Sequence, residues 1–262
     1  MITKRILAVL GAAGATLVIL PMFAAFEAHV VNVTATIENA LSVDTHPINY
    51  GTVFPQEQLN KFLKVAFSDS FQKESRVDDV EYIIRQKPKC AWTINNGQQI
   101  VGETQSGEVD SNGQITCPKP GESPTQGAVW GPLPLLCNYL SKHEVTEDGT
   151  EKENDTSLPA FHQIGYVNDN GTPTDPSDDK WIWNDATGRL SKVAQDADDN
   201  WDLDLKVPCF GGYCAQDWAS FVHGINPDAD PNQYTQPIAN EHKVFGCDVW
   251  IEVTQVSEQR SE

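Results

Sequence analysis

Residues His29–Gln56 read H-V-V-N-V-T-A-T-I-E-N-A-L-S-V-D-T-H-P-I-N-Y-G-T-V-F-P-Q. The first half alternates. Val31, Val33, Ala35 and Ile37 fall on one side, and Val30, Asn32, Thr34, Thr36 and Glu38 on the other. A strand sends successive side chains to opposite faces, and β-branched residues suit its pleat. Period two without Pro or Gly predicts an extended strand over residues 29–38 with one face to bury. The second half, I-N-Y-G-T-V-F-P-Q-E (48–57), predicts a short strand, a turn and a proline stop.

Upstream lies a different kind of sequence. Lys4 and Arg5 are followed by an apolar run from Ile6 to Phe23, then by the small residues Ala24, Ala25 and Ala28. That order predicts a signal peptide over 1–28. The alternative is an uncleaved anchor, because the run approaches membrane-spanning length. Either way the expected location is extracellular or at the cell surface, with residues 29–262 as a single domain.

Composition narrows the function classes. The 262 residues carry 37 Asp and Glu against 18 Lys and Arg, a formal charge of −19. Cleavage after Ala28 takes away two bases and one acid and leaves 36 acids against 16 bases. Nucleic-acid binding needs a basic face, so it is not expected. A large negative charge suits solubility, cation binding, or assembly promoted by salt or divalent ions. The six cysteines, Cys90, Cys117, Cys137, Cys209, Cys214 and Cys247, read as disulfides in an exported chain. Cys209 and Cys214 enclose F-G-G-Y and can close directly; Cys90 and Cys117 bracket a Gly/Gln/Asn-rich excursion; Cys137 with Cys247 follows by elimination. The rival is a zinc-thiolate site, but C-x4-C is loose and stands alone.

Farther along, Lys61–Ser70 alternates, with Leu63, Val65 and Phe67 opposite Phe62, Lys64 and Ala66. Val80–Gln86 is another strand candidate. Residues 91–132 are turn-rich and predict a long loop insertion with one hairpin. Leu133–Leu140 returns to the core, 144–157 reads as a charged loop, and 158–167 as a short strand. Residues 168–180 form a second acidic loop, so 144–180 counts as the other insertion. Leu203, Leu205 and Val207 alternate with Asp202, Asp204 and Lys206, a strand with one wet face. Cys214–Gly224 is the one short helix, with Trp218, Phe221 and Val222 at i, i+3, i+4 and Gly224 as its C-cap. Val244–Val256 is the last strand. Many short strands and no long amphipathic helix predict an all-β, antiparallel, jelly-roll-like sandwich.

The leader, the alternating strand 30–38, I-N-Y-G-T-V-F-P-Q-E (48–57), F-L-K-V-A-F-S-D-S-F (62–71) and the terminal G-C-D-V-W-I-E-V-T (246–254) together resemble the TasA/camelysin family of secreted surface proteins. About a quarter of the chain carries the likeness. Pro55 is followed by Gln56 where that family has Gly, and the cysteines and long insertions are additional. The resemblance implies a non-enzymatic jelly roll that assembles head-to-tail into extracellular, biofilm-matrix fibres. In that family the first strand of one subunit completes the sheet of the next. Here Val31, Val33, Ala35 and Ile37 would enter the neighbour's groove. The other reading keeps 29–38 as the first strand of its own sheet.

Acidic clusters raise calcium. Asn226, Asp228 and Asp230 alternate on a turn held by Pro227 and Pro231; Asp196, Asp198 and Asn200 alternate likewise. Calcium takes six to eight such oxygens, although neither cluster is an EF-hand loop and each reads equally as a solvated loop. The camelysin likeness also implies an alternative, a zinc metallopeptidase. His143-Glu144 has Glu147 where H-E-x-x-H needs histidine, and His162, His223 and His242 are dispersed. No G-x-S-x-G occurs, so no catalytic residue is expected. Trp130, Trp181, Trp183 and Trp201 lie near polar loops. Exposed and coplanar, they would stack on cell-surface or matrix glycans; otherwise they are packing, as Trp92, Trp218 and Trp250 are expected to be.

Overall fold

The computed structural model describes residues 36–118, 120–146, 148–152, 156–171 and 177–258. The chain divides into two units, Met1–Glu38 and Asn39–Glu262. Of the first, only 36–38 are described. Those three residues have irregular backbone, and Ile37 is 93% exposed. The rest of the alternating stretch, with Val31, Val33 and Ala35, lies outside the described residues.

In chain order, the strands of the larger unit begin with β1 (Leu41–Val43), β2 (Gln58–Leu59) and β3 (Phe62–Phe67). Helix α1 (Asp69–Lys73) follows, then β4 (Val77–Lys87), β5 (Lys89–Ile94), β6 (Gln99–Ser106), β7 (Glu108–Val109), β8 (Ile115–Thr116) and β9 (Val129–Pro132). The second half holds β10 (His143–Val145), β11 (Gly165–Asn168), β12 (Lys180–Trp183), β13 (Ala186–Ser191), β14 (Asp198–Asp202), β15 (Leu205–Lys206), helix α2 (Trp218–Ile225) and β16 (Asp248–Glu258).

Two sheets face each other across the main core. One runs β1-β3-β14-β10, the other β13-β4-β16, and every pairing is antiparallel. Alternation along β3 turns Leu63, Val65 and Phe67 inward, where they join Trp201 of β14. From the facing sheet come Val80, Tyr82 and Ile84 of β4 and Ala186 and Leu190 of β13. The fold is all-β, antiparallel and sandwich-like.

A second core forms beside the first. Tyr139, Phe161, Trp218 and Tyr234 are buried together with Leu205, Val207 and Val222. Phe161 is its hub, with ring centroids 5.6 Å from Trp218 and Tyr234 and 6.1 Å from Tyr139 in edge-on contacts. Such pairs add to plain area burial. Phe161 sits there with φ +64°, a left-handed backbone that a bulky residue adopts only under constraint.

Three disulfides close the chain: Cys90–Cys117, Cys137–Cys247 and Cys209–Cys214. They are the pairs that the spacing favours. The first ties β5 to the end of the β7–β8 hairpin. The second ties the segment before β10 to the start of β16.

Several local expectations need correcting. Residues 48–57 form no strand; the chain turns at Gly51 and Gln56, both with positive φ, and next enters a strand at β2. Residues 91–132 are more than a looped hairpin. β5 is central to a three-stranded sheet, β6-β5-β9, which the left-handed Asn95 and Asn96 turn helps to build. The insertion 144–180 likewise holds β10, β11 and β12, with Val145 buried in the main sheet. Beside α2 there is a second helix, α1, started by Ser68, whose Oγ accepts the Phe71 N–H at 3.1 Å. Gly224 lies within α2; Asn226 ends it, donating its N–H to Val222 O at 2.8 Å.

Candidate functional site

β14 reads D-D-N-W-D, and its alternation decides the chemistry at the sandwich centre. Asp198, Asn200 and Asp202 look outward, whereas Asp199 and Trp201 point into the core. A carboxyl group therefore lies among apolar side chains: Asp199 is 1% exposed. Its Oδ2 accepts the Tyr82 hydroxyl at 2.5 Å, and that hydroxyl in turn accepts Trp201 Nε1–H at 2.9 Å.

The other oxygen faces a charged pair. Glu144 of β10 lies opposite Trp201 in the ladder. The turn after β10 folds back so that Lys152 N donates to Glu144 O at 2.8 Å. Lys152 Nζ then reaches Glu144 Oε1 at 2.5 Å and Asp199 Oδ1 at 3.7 Å. Burial pushes the Asp199 carboxyl up to about 7; the Tyr82 bond works against that rise, and the Glu144 carboxylate beside it adds to it. The Lys152 ammonium loses some hydration, but Glu144, Asp199 and Asp196 hold it above its ordinary range. The site thus brings two carboxyl groups and an ammonium group into contact at the edge of the core, with burial favouring the protonated form of Asp199.

A second polar cluster sits where the chain leaves β14 for β15. Leu203 and Leu205 are buried as the alternation predicts, yet Asp204 is buried as well. The expected wet face is closed, because Asp204 Oδ2 and Lys206 Nζ pair at 2.5 Å as the chain passes between sheets. Among the described residues, Asp202 Oδ1 and Asp204 Oδ1 are buried without a hydrogen-bond partner. Burial, then the Asp204 charge, raises Asp202 to about 6.

Between the two cores lies a third group. Lys142 is fully buried and donates to Asn184 O; burial lowers its amine to about 8. His162 is held neutral by burial and by the Lys142 charge, its titration lowered to about 3. Its Nδ1 is 2.8 Å from Pro159 O and its Nε2 is 2.9 Å from the Gln86 side-chain amide. Gln86 presents Oε1 to that Nε2 and donates its own Nε2–H to Leu140 O at 3.3 Å.

The calcium candidates are engaged in turns and an ion pair. Asn226 Nδ2 donates to Phe161 O and its Oδ1 accepts Asp228 N–H, while Asp230 Oδ1 accepts from Asn232 N–H and Nδ2. These side chains close turns. Asp198 pairs with Lys64 at 3.0 Å, and Asn200 shares its outward face. Asp196 is in the turn before β14, its backbone paired with Ser191. Among the described residues no three His, Cys, Asp or Glu side chains converge to hold a metal ion. His143 and Glu144 are neighbours on a strand, so their side chains leave on opposite faces.

The tryptophans pack. Trp92 and Trp130 are tilted by 55°, Trp181 and Trp183 by 87°, and Trp201 and Trp218 are buried. Trp250 is half exposed, but Lys87 Nζ stands 3.6 Å above its ring. No helix of the described residues is long and apolar enough to cross a membrane.

Asp199 was legible in principle. Carrying the inward parity of Leu203 back two and four residues puts Trp201 and Asp199 on the buried face. The density of acids around it made the segment read as solvated loop.

Fold and bridges together define a class: an all-β sandwich-like protein closed by three disulfides, bonds that suit an oxidising setting. No protein-family model, curated protein or solved structure matches the chain.

Proposed function

We propose that this chain is a secreted or cell-surface structural subunit that assembles with copies of itself by strand addition, without catalysis of its own. One observation carries the reading. β16 is an 11-residue edge strand that pairs with β4 on one side and with no strand on the other among the described residues. Its Val253 and Val256 are exposed. A long apolar edge offers unpaired N–H and C=O groups to an incoming strand. The alternating segment 29–38 supplies a strand of the right pattern, and the resemblance of residues 30–71 to the TasA/camelysin family supports the same use. The partner is a second copy, joined head-to-tail, so growth is open-ended.

Negative-stain microscopy of the chain beginning at His29, with and without added calcium, tests this. Filaments are expected. Deleting residues 29–38 should leave a monomer, and Val253→Lys with Val256→Lys should block growth while leaving far-UV circular dichroism unchanged. Long fibres from the deleted chain would overturn the donor role of 29–38. A uniform monomer under all conditions would overturn assembly.

A further inference from the structure

The contacts around Asp199 go beyond an ion pair. Two strands and a returning turn bring an amine and two carboxyl groups together. Asp199 comes from β14, Glu144 from β10, and Lys152 from the return of the β10 turn. Lys152 Nζ touches Glu144 Oε1 at 2.5 Å and stands 3.7 Å from Asp199 Oδ1. Asp199 is buried, and its other oxygen is already engaged by the Tyr82 hydroxyl, which Trp201 Nε1–H orients. A buried carboxyl group, a lysine within van der Waals reach, a second carboxyl group beside both and a donor on the far oxygen are the parts that amide formation requires.

We propose that Lys152 and Asp199 condense into an intramolecular amide cross-link, with Glu144 as the proton carrier. Glu144 first takes a proton from the Lys152 ammonium. The freed Nζ attacks Cγ of the protonated Asp199, and the Tyr82 hydroxyl stabilises the negative charge that develops on Oδ2. The new C–N bond forms as the Cγ–Oδ1 bond breaks. The nitrogen gives up a proton through Glu144 to the departing hydroxyl, and one water leaves. The cation, the carboxylate and the neutral acid become a neutral amide, a protonated Glu144 and water, so charge balances and no oxidant or co-reactant is needed. The product also removes a charged pair from the border of the core, where a low dielectric disfavours it.

Intact mass spectrometry of the full chain, secreted and then reduced, tests the bond. The expected mass is one water lighter than the reduced sequence, and a proteolytic digest should hold a branched peptide joining Lys152 to Asp199. Lys152→Arg should restore the full mass. Glu144→Gln should restore it while near-UV circular dichroism remains that of the folded chain. A wild-type chain of full mass, giving separate peptides with free Lys152 and Asp199, overturns the proposal. So does a lost water mapped to any other pair. The wild-type mass decides alone, so a variant that fails to fold does not blunt the test. The outcome is independent of filament formation, because the three groups belong to one chain.

Discussion

Phe161 shows how much a single position can carry. It is fully buried, touches four aromatic rings and holds a backbone that ordinarily suits Gly or Asn. Truncation to alanine should cost about 3–5 kcal/mol through the lost contacts and the cavity left behind. Chemical denaturation of Phe161→Ala measures it, and a cost under about 1 kcal/mol would mean that this core collapses around the gap. His162, the next residue, gives a pH dependence with a definite sign. It stays neutral in the fold down to about 3 and is protonated in the unfolded chain below its ordinary value of 6.5. The unfolded state therefore binds the extra proton across that window, and the stability due to this group falls as pH drops through it, by about 1.4 kcal/mol per pH unit once well inside. His162→Gln keeps polar atoms near Gln86 and removes the proton site. Its unfolding free energy should fall less steeply than the wild type's between about pH 6 and pH 4; equal slopes would show that His162 is protonated in the fold. Neither role was visible in the sequence, where Phe161 and His162 stand in a short polar-flanked run and their surroundings come from Gln86, Tyr139, Trp218 and Tyr234, all remote in the chain.

Among the elements, alternation was the reliable guide. β3 falls inside the stretch whose period-two pattern marks it, β4 and β16 overlap the strand candidates Val80–Gln86 and Val244–Val256, and the i, i+3, i+4 spacing of Trp218, Phe221 and Val222 finds α2. Elements whose partners are distant were hidden. β5, β6 and β9 assemble a sheet from a segment rich in Gly, Pro and Asn, because strand pairing and the Cys90–Cys117 bridge override weak local preference. In contrast, I-N-Y-G-T-V-F carries good strand residues and forms none, since positive φ turns the chain in its middle, at Gly51, and again just beyond it, at Gln56. β13 and β4 make a sharp test. Gly188 is paired with Tyr82, and a Cβ there would overlap the Tyr82 ring. Gly188→Ala should destabilise by about 1–3 kcal/mol and displace the Tyr82 hydroxyl from Asp199. A changed near-UV tyrosine signal, together with loss of the Lys152–Asp199 water deficit, is the expected pair of readouts.

At the level of the whole molecule, two covalent features and one electrostatic one set behaviour. The Cys137–Cys247 bridge spans 110 residues and the Cys209–Cys214 bridge only 5. Chain-entropy reasoning assigns the long loop on the order of 4–5 kcal/mol. Replacing both Cys137 and Cys247 by serine should lower the melting temperature far more than the same change at Cys209 and Cys214, and scanning calorimetry compares them. The formal charge of −19 makes copies repel. Assembly should therefore begin sooner as salt is raised from about 10 mM to 200 mM, where screening shortens from about 30 Å to under 10 Å. Light scattering follows this, and assembly that slows with salt would point to contacts made by opposite charges.

The Cys137–Cys247 bridge also fixes how a load travels. β16 is the edge proposed to take a neighbour's strand, and Cys247 immediately precedes it. A pull delivered to β16 along its length strains its hydrogen bonds to β4 together, as a lap joint is strained, and meets sulfur before it can peel the strand's first residue away. From Cys247 the tension crosses to Cys137 and enters the middle of the chain, bypassing the segment between. In a row of such subunits the weakest link under tension is the contact between copies, and each subunit survives the rupture of the row.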